Sequence, residues 1–170
     1  MGMMTRIVAL IALIPLTACE RAPIAQEERA SVDPIGDYAI DPQTGEIRAT
    51  HTDAAGVTTS MRSGEQVVAT LPAPFGMHPS ATITYVTEVE QGDGMSVTID
   101  FATEETADRI VAFHKAQAAE AQIVTDVEVA AADTTTLAGA NPRTGMTYAL
   151  QVTRTERGAT GQLSVESGFD

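Results

Sequence analysis

The stretch Met95–Gln122, MSVTIDFATEETADRIVAFHKAQAAEAQ, decides the fold class. Its first nine residues alternate apolar and polar side chains and are rich in β-branched types, the pattern of a strand with one buried face. The period then changes. Thr103 is placed to cap a helix, and Glu104, Glu105 and Asp108 fill a first turn where the helix dipole favours negative charge. On a helical wheel running to about Gln122, Ala107, Ile110, Val111, His114, Ala118 and Ala121 share one face, the stripe of a helix lying on a sheet. Upstream, Ala81–Glu88 (ATITYVTE) joins this strand across Gln91-Gly92-Asp93-Gly94 as a hairpin. Downstream, Ile123–Ala130 (IVTDVEVA) alternates again, as do Gly145–Thr155 and Gln162–Glu166, which flank a turn at Arg157–Gly161. Ala132–Thr144 reads as loop, with a short extended piece around Leu137.

Farther upstream, Glu46–His51 and Val57–Arg62 form a hairpin about Thr52–Gly56. Ser63-Gly64 then breaks the pattern, and Leu71–Pro79, with three prolines, makes an ordered entry loop. The reading is α+β: one helix on a mainly antiparallel sheet, in the order hairpin then β-β-α-β-β-β, over residues 46–170. No internal repeat is evident.

The N-terminal residues carry a different signal. Arg6 precedes Ile7–Leu16, an apolar run of ten residues. At a rise of ~1.5 Å per residue such a run spans about half of a ~30 Å hydrocarbon core, which suits a secretory signal and not a transmembrane span. Leu16-Thr17-Ala18-Cys19 then resembles the lipobox of bacterial lipoproteins. That resemblance implies a signal peptide over 1–18, cleavage before Cys19, and a diacylglyceryl thioether on its sulfur. Residues 19–45, with three prolines and no sustained period, read as a lipidated N-terminus and a flexible acidic linker. The expected partner is then a membrane, through Cys19, together with an envelope protein. Glu20-Arg21 lacks the aspartate that retains enteric lipoproteins in the inner membrane, which leans toward the periplasmic face of the outer membrane.

Composition agrees with this picture. The chain has 170 residues, 10 Lys+Arg against 23 Asp+Glu, and a net charge of -13. A surface that acidic repels phosphate backbones, so nucleic acid is not an expected partner. A single cysteine excludes an intrachain disulfide framework and a multi-cysteine zinc site.

From Ser63 to Glu166 the chain also resembles a group of functionally uncharacterised proteobacterial envelope lipoproteins. The resemblance rests on Leu71-Pro72, Phe75, Pro79 and Ala81, on Phe101 and Thr103, and on Ile110, Phe113 and His114. His78 stands where those proteins often have tyrosine. These are packing and turn residues, so the resemblance implies a fold and a compartment and carries over no catalytic residue.

Chemistry-bearing motifs are scarce. His51, His78 and His114 are too widely spaced for a helical metal pair, and no H-E-x-x-H, G-x-S-x-G or S-x-x-K occurs. No catalytic, metal or cofactor residue is assigned. A ligand groove formed by His78, Phe113 and His114 is the candidate site. The competing class is a metal-dependent or histidine-based periplasmic hydrolase, using His114 with Asp126 or Glu128.

Overall fold

Antiparallel pairing accounts for every strand contact in the computed structural model, which describes residues 36–169. The leader, Cys19 and the first part of the expected linker lie outside the described residues. The strands are β1 (Gly36–Ile40), β2 (Ile47–Thr52), β3 (Thr58–Gly64), β4 (Thr82–Gln91) and β5 (Gly94–Thr103), followed by α1 (Ala107–Glu120). After the helix come β6 (Val124–Ala131), β7 (Thr134–Ala140), β8 (Thr147–Thr155) and β9 (Gly158–Ser167). They form one nine-stranded sheet in the order β1-β2-β3-β4-β5-β9-β8-β7-β6. The helix carries the chain from β5 to the far edge, and β6 to β9 walk back until β9 pairs with β5. Ile99 there lies opposite Leu163, and Phe101 opposite Gly161.

The sheet-and-one-helix expectation holds, but the sheet dominates and has two more strands than the sequence pattern indicated. Residues 36–45, read as part of the linker, form β1 and a turn. Thr134–Ala140, inside the expected loop, forms β7 between β6 and β8. The last hairpin is tighter than expected, since β9 already begins at Gly158.

One face of the sheet carries the core. Val86, Val97, Ile99, Phe101, Leu137, Leu150, Val152, Leu163 and Val165 are all buried there. The helix covers part of this face through Ala107, Ile110, His114 and Ala118. The Pro-rich segment covers Val86, Val97 and Ile99 with Val67, Leu71 and Met77. Gly161 lets this layer close: a Cβ there would stand 2.5 Å from the Phe101 ring and 2.6 Å from the Gln151 carbonyl oxygen.

The helix start is a correction. Thr106, not Thr103, is the N-cap, its side chain accepting from the Arg109 N–H at 3.4 Å. Thr103 is taken up by β5, where it pairs with Ala159. At the other end, Gln122 N–H donates to Ala119 O and Ile123 N–H to Ala118 O, with Gln122 at φ 56°. This is a Schellman motif with the buried Ile123 as its apolar closure, and glutamine holds the left-handed position that glycine prefers. Gln122→Gly is expected to raise stability by about 0.5–1 kcal/mol, read as a rise in thermal midpoint.

The structure also contains a repeat that the sequence reading missed. Asp41-Pro42-Gln43-Thr44-Gly45 joins β1 to β2, and Asn141-Pro142-Arg143-Thr144-Gly145 joins β7 to β8. Both turns use the same bonds. The Asp41 oxygen accepts from Gln43 N–H at 2.7 Å and Thr44 N–H at 3.2 Å, while Asn141 accepts from Arg143 at 2.8 Å and Thr144 at 3.3 Å. Gly45 and Gly145 both sit at φ 71°, and each donates its N–H to the carbonyl four residues back. These N–H donors hold the Asp41 carboxyl below the ordinary carboxylate range.

Candidate functional site

His114 sits on the inner face of α1, one turn from Ile110 and one turn from Ala118, because those positions share the stripe that meets the sheet. Its side chain is fully buried. Nδ1–H donates to Gln117 Oε1 at 3.0 Å, and Nε2 is buried without a hydrogen-bond partner. Burial lowers its pKa to about 4, opposed by the bond to Gln117 and reinforced by His78. The ring is therefore neutral at pH 7. A base sealed beneath a helix does not come within hydrogen-bond reach of a substrate proton.

His78, Phe113 and His114, read from the sequence as a ligand groove, form a row of packed rings. His78 packs edge-on against Phe113 with ring centroids 5.0 Å apart, and Phe113 meets His114 the same way at 5.1 Å. Only its outer part reaches the surface. His78 Nδ1 accepts from Ser80 Oγ at 2.8 Å, and Ser80 is in turn bonded to Thr103 Oγ1 at 2.8 Å. Thr103 Oγ1 accepts the Glu105 N–H at 3.1 Å. This chain ties the Pro-rich loop to the end of β5 and the approach to the helix, which is a positioning role.

His51 is exposed on β2, opposite Thr59 and Gly36, and does not join the other two. The acids suggested as partners of His114 do not reach it as such. Glu128 pairs with Lys115 at 2.6 Å, and Asp126 sits at the β6 bulge. Among the described residues no group of three or more His, Cys, Asp or Glu side chains could hold a metal ion.

Sequence reasoning did not find the polar surface on the other side of the sheet. A shallow depression of about 340 Å³ is lined there by Thr84, Asp100, Gln151, Thr153, Thr160 and Gln162. It adjoins a second of about 440 Å³, lined by Ser80, Thr82, Thr103, Glu104, Thr155 and Arg157, with Ala102 and Thr160 common to both. These residues come from strands far apart in the chain, so no local motif announces them. Gln162 Nε2 donates to Asp100 at 2.8 Å. Hydroxyls, amides, the carboxylates of Asp100 and Glu104 and the Arg157 guanidinium line the two depressions, groups that can bind polar ligands.

No protein-family model, curated protein or solved structure matches the chain.

Proposed function

We propose that this chain is a lipid-anchored lipoprotein of the bacterial cell envelope, facing the periplasm, whose domain acts as a binding or structural module. The observation that carries the reading is Leu16-Thr17-Ala18-Cys19 placed directly behind a ten-residue apolar run, with Cys19 the single cysteine. Each buried methylene contributes about 0.8 kcal/mol, so one acyl chain binds marginally and two or three hold durably. Among the described residues no helix is long and apolar enough to cross a membrane. The acidic body is repelled by anionic headgroups, so the anchor tethers the domain without pressing it onto the bilayer. The sealed, neutral His114 and the engagement of Glu128 with Lys115 favour a module over the hydrolase alternative. Glu20-Arg21 behind the anchor favours the outer membrane.

Fractionation of a Gram-negative host expressing the full chain tests this. The unsubstituted chain is expected in the membrane pellet, with the greater share in the outer-membrane band of a density gradient. Cys19→Ala is expected to lose acylation, shown by absence of label from a palmitate analogue. Equal labelling of both forms contradicts the reading.

A further inference from the structure

On the side of the sheet away from α1, threonine, serine and glutamine side chains bond mostly to one another. Thr98 pairs with Ser164 at 3.1 Å, Ser63 Oγ donates to the Tyr85 hydroxyl at 2.8 Å, and Gln91 donates to Thr59 at 2.9 Å. The pattern stops at the two polar depressions. Thr82, Thr84, Gln151, Thr155 and Thr160 line them, and among the described residues none of these five has a side-chain hydrogen-bond partner. Thr136, directly opposite Gln151, extends the same group. Each hydroxyl offers a donor and two acceptor sites, and the glutamine amide both kinds as well. Unused hydrogen-bonding capacity is therefore gathered in one place.

The two depressions form one trough. They share Ala102 and Thr160 and run across β4, β5, β9 and β8, three spacings of ~4.8 Å. At one end Asp100 accepts from Gln162 through one oxygen, and at the other Glu104 stands with Arg157. One guanidinium against two carboxylates, on a chain of net charge -13, disfavours an anionic ligand. With Asp100 already bonded and Arg157 present, the trough offers no cluster of free carboxylates to a cation. An apolar ligand would strip water from the five unpartnered side chains and return no hydrogen bonds. An extended peptide takes its main-chain bonds from a sheet edge, but all four strands here are interior and their backbone groups are paired on both sides.

We propose that this trough binds a neutral polyhydroxylated ligand, an oligosaccharide chain lying across β4, β5, β9 and β8. Sugar hydroxyls donate and accept, as the threonine and glutamine side chains do, and carry no charge to be repelled. The volumes of about 340 and 440 Å³ lie within the roughly 300–1,000 Å³ of ligand sites. The inference deepens the binding-module reading by naming the ligand class. It is independent of the anchor, because the lining comes wholly from residues 80–162.

The test titrates the full chain, held in a sugar-free polyoxyethylene detergent, with cellohexaose, maltohexaose and chitohexaose, and with hexagalacturonate as the anionic counterpart. Calorimetry is expected to show binding of at least one neutral hexasaccharide, with hexagalacturonate about tenfold weaker or more. Gln151→Ala should weaken that saccharide about tenfold, and Thr160→Arg, which fills the join of the trough, should abolish its binding. Ala116→Arg, on the exposed side of α1, should leave it unchanged. Cys19→Ala should leave it unchanged too, so a failed anchor and a failed trough give different results. Absence of binding by all three neutral saccharides overturns the proposal. So does equal affinity in the unsubstituted, Gln151→Ala and Thr160→Arg chains, or tighter binding of hexagalacturonate. If Thr160→Arg does not fold, the comparison of Gln151→Ala with Ala116→Arg decides alone.

Discussion

Asn141→Asp is expected to destabilise the domain by about 3 kcal/mol at pH 7, whereas Asp41→Asn in the matching turn is expected to stay within about 0.5 kcal/mol of the unsubstituted chain. The two turns share their backbone bonds and differ in what lies behind them. Asn141 is buried, and its Nδ2–H donates to Ala121 O at 2.8 Å, satisfying a carbonyl at the end of α1. An aspartate keeps the acceptor role toward Arg143 and Thr144 but loses that donor. It also sets a carboxylate against a carbonyl at the negative end of the helix dipole. Asp41 is exposed and has no helix end to serve.

The sign with pH follows from the same geometry. The new carboxyl should have a raised folded pKa, because its protonated form can donate to Ala121 O. The difference between Asn141→Asp and the unsubstituted chain should therefore shrink as pH falls toward 4. Denaturant unfolding at pH 7 and pH 4.5 measures it, and a difference that is small at pH 7 contradicts the assignment.

The second large effect concerns His114. Its folded pKa of about 4 lies below the ordinary value of 6.5, so between these limits the unfolded chain binds more protons. Stability is fully present above pH 6.5, declines as pH falls, and levels off below about 4. The loss from this group amounts to about 3 kcal/mol over that window. Ordinary carboxylates add their own losses at the acid end, so the informative quantity is a difference between variants. His114→Leu removes the buried imidazole and its unpartnered Nε2 at similar volume. It should flatten the decline between pH 6.5 and 4.5 while changing stability at pH 8 by less than about 1.5 kcal/mol. Parallel pH curves for the two proteins would mean that the imidazole is not neutral and sealed in solution.

How far the sequence could be read depends on how strongly each element is buried on one side. The β4–β5 hairpin and α1 announce themselves because Val97, Ile99 and Phe101, and then Ala107, Ile110, His114 and Ala118, hold strict periods against the core. β1 offers no such signal: all five of its residues are exposed, and among the described residues it pairs on one edge only. In β7 only Leu137 is buried, so small residues and a threonine run resemble a loop until the sheet supplies neighbours on both sides. The true N-cap was obscured by a second threonine, since Thr103 meets the local requirements but is claimed by pairing with β9. The repeated turn escaped notice because the strands it joins carry unrelated side chains.

The candidate site was legible only in part. Placing His114 on the inner stripe followed from spacing alone. Its contact with Phe113, and Phe113's with His78, depends on how the Pro-rich loop folds back over the sheet. The polar depressions could not be read from any segment, because their lining comes together only once β4, β5, β8 and β9 are paired in register.

The proposed anchor underlies the functional reading, and intact mass measurement of the chain recovered from the membranes of a Gram-negative host tests it most directly. The predicted result is a polypeptide beginning at Cys19, without residues 1–18, heavier than its sequence by two or three acyl chains with their glyceryl link. A mass matching an unmodified cysteine, or a chain that keeps its first eighteen residues, would contradict it.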